Sequence, residues 1–169
     1  MSQSVMKFDD FLKQAKNNWS ESYYDGTSLV FPRIDRVSAR TTDQITKIMK
    51  DRELQYSDFH LLASLRRSNH QPPFELMPSE LCNYMLFSWG GLTKNMKRLQ
   101  QKGIITRVNC VKDKRVRSIR LTEQGVELIE DVYAEFKKSN KAFLKGFSAK
   151  EVQSLNRLLD KIINNIEKG

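Results

Sequence analysis

Apolar residues recur along this chain mostly at helical spacing and alternate in only one stretch. Phe8, Phe11, Leu12, Ala15 and Trp19 stand on one face of a short N-terminal helix, which Tyr24-Asp25-Gly26 ends. A longer helix is predicted over 30–49 through Ile34, Val37, Ile45 and Ile48, with Pro32 tolerated in its first turn. Ser57 is the expected cap of a helix over 58–67, with Tyr56 stapled onto Leu61 and with Leu61, Leu62 and Leu65 inward. After the loop Asn69-His70-Gln71-Pro72-Pro73, Pro78 opens a helix of about two turns through Leu81 and Met85. Ser88 then caps a helix with Trp89, Leu92, Met96 and Leu99 on one face, and Gly103 is its left-handed stop.

Period-two patterning appears only at 104–111 and 116–121, both rich in β-branched residues and joined by Lys112-Asp113-Lys114-Arg115. Thr122 caps a long helix carrying Ile129, Val132, Tyr133, Phe136, Phe143 and Leu144, and Gly146-Phe147 breaks it. Ser148 and Glu151 form a capping box for a last helix striped by Val152, Leu155, Leu158, Leu159, Ile162, Ile163 and Ile166. The expected fold is mainly α with a small β-hairpin: a winged helix-turn-helix flanked by N- and C-terminal dimerisation helices. The parts expected are 1–50 for the N-terminal dimerisation helices, 51–121 for the DNA-binding lobe and 122–169 for the C-terminal dimerisation helices. The final stripe exceeds what so small a lobe covers, which points to burial against a second copy. A two-fold dimer would present two recognition helices to a palindrome.

Charge sharpens this picture. The chain carries net +9, and residues 88–120 hold ten Lys or Arg against the single acid Asp113, so the excess lies in that window. A charge run is usually a solvated face, but this one coincides with the helix-turn-helix and hairpin and reads as a DNA-binding surface. The helix places Ser88, Gly90, Thr93, Lys94, Lys97 and Arg98 toward DNA, and the hairpin adds Lys112, Asp113, Lys114, Arg115 and Arg117. A basic hairpin tip suits a narrow A·T-rich minor groove, with Arg115 its chief contact.

Other classes find little support. There is no run of eighteen apolar residues and no secretory signal pattern, so the expected location is the cytoplasm, with no membrane partner. Cys82 and Cys110 have neither CxxC spacing nor clustered histidines, which argues against a disulfide framework or a metal site; packing as small apolar residues is the ordinary role, and redox sensing by either stays open. His60 and His70 are isolated. The zinc-deaminase, P-loop and nucleophile-elbow patterns are missing, and no carboxylate pair in the basic window suits two metals, so neither enzyme activity nor a cofactor is expected.

The order of elements and the string Asp113-Lys114-Arg115-Val116-Arg117-Ser118-Ile119-Arg120-Leu121-Thr122-Glu123-Gln124-Gly125 resemble the MarR family of bacterial transcription regulators, as does Pro78-Ser79-Glu80-Leu81. The likeness spans roughly 33–166 and takes in the D-x-R and L-T-x-x-G motifs. It implies a homodimer with interlocked terminal helices, a wing Arg115 in the minor groove oriented by Asp113, and Thr93, Lys94 and Lys97 facing DNA. Gly90 and Gly91 stand where the family usually has hydroxyl-bearing or other small residues, leaving the helix amides to meet phosphate. The extra N-terminal helix, Arg36-Val37-Ser38 and Leu65-Arg66-Arg67 resemble the urate-responsive branch, which implies Trp19 and Arg67 as effector contacts. His60 stands at that branch's acidic position, so a small aromatic or phenolic anion is expected instead of urate. For Trp19 a core or dimer contact is the ordinary alternative.

The resulting expectation is a dimeric, sequence-specific DNA-binding regulator, a repressor relieved by such an anion. The alternative is an effector-independent or architectural DNA-binding protein, distinguished by DNA binding that no ligand alters.

Overall fold

A computed structural model describes residues 6–23, 26–84, 89–109 and 117–168. The order of elements is α1 (Phe8–Asn18), a 3-10 turn (Ser20–Tyr23), α2 (Val30–Lys50), α3 (Tyr56–Arg67), β1 (Glu75–Leu76), α4 (Pro78–Tyr84), α5 (Trp89–Gln101), β2 (Ile105–Asn109), β3 (Arg117–Leu121), α6 (Glu123–Phe143) and α7 (Ala149–Glu167). The chain divides into two compact units, 1–43 and 44–169.

In the N-terminal unit, Phe8 and Phe11 stack at 5.8 Å between ring centroids, and the guanidinium of Arg33 lies 5.6 Å from the Phe8 ring. Arg36 donates to the carbonyl of Met6. No residue of α1 is buried, and Trp19 is 67% exposed.

The second unit holds the core. Ile45, Ile48 and Met49 of α2, Leu61, Leu62 and Leu65 of α3, Leu81 of α4, and Leu92, Met96 and Leu99 of α5 pack with Ile119, Ile129 and Val132. Each such side chain contributes about 1.5–3 kcal/mol by leaving water. The cap of α3 differs from expectation. The helix starts at Tyr56, and the backbone N–H of Gln55 donates to Asp58 Oδ2 at 2.8 Å, so Gln55 and Asp58 form the terminus where Ser57 was expected. A carboxylate at this position outcompetes a hydroxyl because it also suits the positive end of the helix dipole.

Two motifs acquire physical meaning here. In Pro78-Ser79-Glu80-Leu81, proline occupies the first helical position, Glu80 Oε2 accepts from Met77 N–H at 2.6 Å, and Leu81 is fully buried. In Leu121-Thr122-Glu123-Gln124-Gly125, the Thr122 hydroxyl accepts from Gly125 N–H at 3.1 Å and donates to Gly103 O at 2.8 Å. A Cβ on Gly125 would overlap the Ile104 carbonyl oxygen, so only glycine lets α6 start against the entrance to β2.

Helix α5 stops where expected. Gly103 has φ +71°, its N–H donates to Gln100 O, and Ile104 N–H donates to Leu99 O, the paired closure of a left-handed C-terminus. The strands form an antiparallel sheet of order β1-β3-β2. β1 is an addition to the expected hairpin: Glu75 pairs with Arg120 and Leu76 with Ile119. Helix α7 opens on the expected capping box, with Ser148 N–H donating to Glu151 Oε2 at 2.8 Å and Glu151 N–H to Ser148 Oγ at 3.3 Å. The Ser148 hydroxyl also donates to Glu151 Oε2 at 2.7 Å, and this bond, with that from Ser148 N–H, holds the Glu151 carboxyl below the usual carboxylate range.

Candidate nucleic-acid interface

Helix α5 is two-sided. Leu92, Met96 and Leu99 are buried together with Asn95, while Gly91, Thr93, Lys94 and Lys97 are exposed. This sidedness follows from the sequence, because a 3.6-residue repeat sends the apolar stripe inward and the polar residues between its members outward.

Arg98 requires a correction. It was expected to face DNA, but its Nη2 donates to Asp58 Oδ1 at 2.6 Å and its Nε to Asp58 Oδ2 at 3.1 Å, with a third bond from Nη2 to Asn95 Oδ1 at 2.9 Å. Asp58 is completely buried, and a buried carboxylate without a cation is expensive, so the guanidinium turns into the lobe. The pair ties α5 to the N-terminus of α3. Neither Asp58 nor Asn95 stood out in the sequence. The available signal was an acid three positions beyond Gln55 and ahead of an apolar run.

Two further cations of the basic window are also engaged within the lobe. Lys102 pairs with Glu53 at 3.1 Å, and Arg120 with Glu75 at 2.6 Å. Lys94, Lys97, Arg107 and Arg117 are exposed and form no ion pair with a described residue. Arg107, Asn109 and Arg117 share one face of the β2–β3 ladder, since Asn109 pairs with Arg117 and Arg107 with Ile119. Arg107 is thus a further exposed cation beside the expected set. Ser88 and the hairpin tip with Cys110, Lys112, Asp113, Lys114 and Arg115 lie outside the described residues, as does Met85; Gly90 lies within α5.

The effector candidates fall in both units. Trp19 flanks a cavity of about 440 Å³ in the N-terminal unit, with Phe11, Leu29 and Pro32. His60 and Arg67 lie on α3. The His60 ring meets Tyr56 and Phe59 edge-on at 4.6 and 5.4 Å, and burial, with the nearby Arg67 charge, pulls its pKa below the ordinary imidazole value. Arg67 reaches over Tyr133 at 5.8 Å and lines a second cavity of about 610 Å³ between α3 and α6. Cys82 is a free thiol, partly buried against the core. Among the described residues no group of three or more His, Cys, Asp or Glu could hold a metal, and no helix is long and apolar enough to cross a membrane.

Residues 44–132 match the family model described as transcriptional regulator SarA/Rot. The chain is also 31% identical over 134 residues to the HTH-type transcriptional regulator PecS of Dickeya dadantii, covering 79% of this chain and 80% of that protein. The chain belongs to the MarR and SarA type of winged-helix transcription regulators. DNA binding comes with this family. Solved structures share the fold. A MarR family protein from Bacillus stearothermophilus superposes with a TM-score of 0.70 at 23% identity, over 83% of this chain and 95% of that one. An organohalide-sensing regulator bound to 2,4-dichlorophenol superposes with a TM-score of 0.69 at 17% identity, over 98% and 88%.

Proposed function

We propose that this MarR-type regulator acts as a homodimeric, sequence-specific repressor on a palindromic A·T-rich operator and that a small aromatic or phenolic anion relieves it. The sidedness of α5 carries this reading. Its buried face and the Asp58–Arg98 tie fix its orientation, leaving Thr93, Lys94 and Lys97 for the major groove and the helix amides near Ser88 and Gly90 for phosphate. Arg107 and Arg117 extend the positive surface onto the hairpin, whose Lys112, Asp113, Lys114 and Arg115 reach the minor groove.

The terminal helices support dimerisation. No residue of α7 is buried, and Leu155, Leu158, Ile163 and Ile166 are 40–65% exposed along one stripe. Covering it with a second copy gives the functional division at 50 and 121 and sets the spacing of two recognition helices. An effector relieves repression only by favouring the spacing that DNA does not, and DNA then weakens effector binding by the same factor. The dichlorophenol bound to the organohalide-sensing regulator supports an aromatic ligand of this kind, and Trp19, His60 and Arg67 are the residues proposed to meet it. On this reading the chain is akin to the urate-responsive branch, with different ligand chemistry.

Footprinting on the chain's upstream intergenic DNA tests the reading. One two-fold symmetric protected site is expected, and continuous coverage without a preferred site would favour the architectural alternative instead. Arg115→Ala should weaken binding most on narrow A·T-rich targets, whereas Lys112→Ala should weaken all sequences alike and flatten the salt slope by about 1.

A further inference from the structure

We infer that α5 holds DNA without choosing its bases, so that this regulator selects its site chiefly through the minor groove; the inference rests on the sequence-specific reading above. A recognition helix meets base edges through its N-terminal residues, and the strongest readers are arginine on guanine and asparagine or glutamine on adenine. Gly90 and Gly91 occupy the first turn of α5 and bring no side chain to a base. Two readers stand farther along, and both are withdrawn. Arg98 lies two turns beyond Gly91 on the same face, but its guanidinium makes two bonds to the buried Asp58 and one to Asn95 Oδ1. Asn95 is itself 5% exposed, so its amide stays within the lobe. Gln100 and Gln101 are exposed, but they stand about 15 Å along the axis from Gly90, past the stretch by which such a helix meets base edges.

Among the described residues of the first three turns, the outward side chains are Thr93, Lys94 and Lys97. Each lysine ends in a flexible point charge, which suits phosphate oxygens better than the paired acceptors of one base edge. Thr93 offers a methyl group to thymine, a single apolar contact. A bidentate base contact discriminates by roughly five- to a hundredfold at its position, and no guanidinium or amide of α5 is placed to make one. Discrimination then falls to the hairpin. Arg107 and Arg117 stand exposed on one face of the β2–β3 ladder, and arginine is the side chain drawn into narrow A·T-rich minor grooves. Asp58 is thus a specificity-setting residue that never touches DNA: it fixes α5 and withholds the one arginine of that helix from the bases.

Two modified duplexes of the footprinted site separate the grooves. Replacing A·T pairs by inosine·cytosine gives the major groove the pattern of G·C while the minor groove keeps that of A·T. Replacing adenine by 2,6-diaminopurine does the reverse, adding an amino group to the minor groove alone. In fluorescence anisotropy of the full chain, the inosine duplex should bind within about threefold of the natural one, and the diaminopurine duplex at least about fivefold more weakly than the inosine duplex. A larger inosine loss, or a smaller difference between the two, overturns the inference. Lys94→Ala should weaken the natural and inosine duplexes by the same factor, and a loss confined to the natural duplex would return base choice to α5. A scrambled duplex in the same series keeps the two proposals apart. If it binds as tightly as the natural site, sequence-specific regulation fails and this inference fails with it. If the natural site is preferred and the inosine duplex loses that preference, the regulator reading stands and only this inference falls.

Discussion

Helices α3 and α7 differ in how their apolar residues are satisfied. In α3 seven of twelve residues are buried, with Leu61, Leu62 and Leu65 fully so, because α5, α6 and the sheet pack around it. In α7 a stripe of seven aliphatic residues runs the length of the helix, and none is buried. The first helix is complete within one chain. The second carries an apolar face as regular as any in the protein, which its own chain leaves in water. The comparison locates fixed geometry around α3 and the requirement for another surface at α7.

The largest effect should come from breaking the complete side. Asp58→Ala leaves Arg98 partly buried without its carboxylate and removes the acceptor at the start of α3, so a loss of about 3–5 kcal/mol is expected in urea unfolding. A loss below about 1 kcal/mol would mean that Arg98 is readily satisfied elsewhere. On the incomplete side, Leu158→Glu combined with Ile163→Glu should spare the lobe's own unfolding transition. It should halve the sedimenting mass and weaken operator binding by about a hundredfold as the second half-site is lost. An unchanged mass would show that α7 is not the dimer surface.

Smaller changes sharpen the same contrast at the exposed face of α5. Lys94→Ala and Lys97→Ala alter exposed residues, so each should leave stability within about 0.5 kcal/mol while lowering the salt slope of DNA binding by about 1. Loss of affinity with an unchanged slope would assign them to base contacts. The smallest effect concerns His60. Its folded-state pKa lies below the ordinary value, so as pH falls the unfolded chain takes up the proton first. Stability should therefore decline from about pH 7 toward pH 5 and level off below the folded pKa. His60→Gln should flatten that part of the profile, as measured by urea midpoints across pH.

Much of this architecture was legible because local chemistry and tertiary packing agree. Gly103 as a stop, Thr122 as a cap, the Ser148–Glu151 box and the stripe of α5 all stand where spacing placed them. Apart from the local Gln55–Asp58 cap of α3, the departures share one cause, which is that their partners lie far along the chain. Asp58 meets Arg98 forty residues away, Glu75 meets Arg120 across β1 and β3, and a two-residue strand is too short to show alternation. Charge counting picked out a basic window but could not show that Arg98, Lys102 and Arg120 each have a carboxylate partner inside the lobe. The arrangement around Arg67 was hidden for the same reason, since Tyr133 and Lys137 come to it from α6.

The most direct test of the regulator reading is fluorescence anisotropy of the full chain on its own upstream intergenic duplex and on a scrambled duplex of equal length, repeated across salt concentrations. A preference of roughly a thousandfold or more for the upstream DNA is expected. Equal affinity for the two duplexes, with the same salt slope, would contradict sequence-specific regulation at that site.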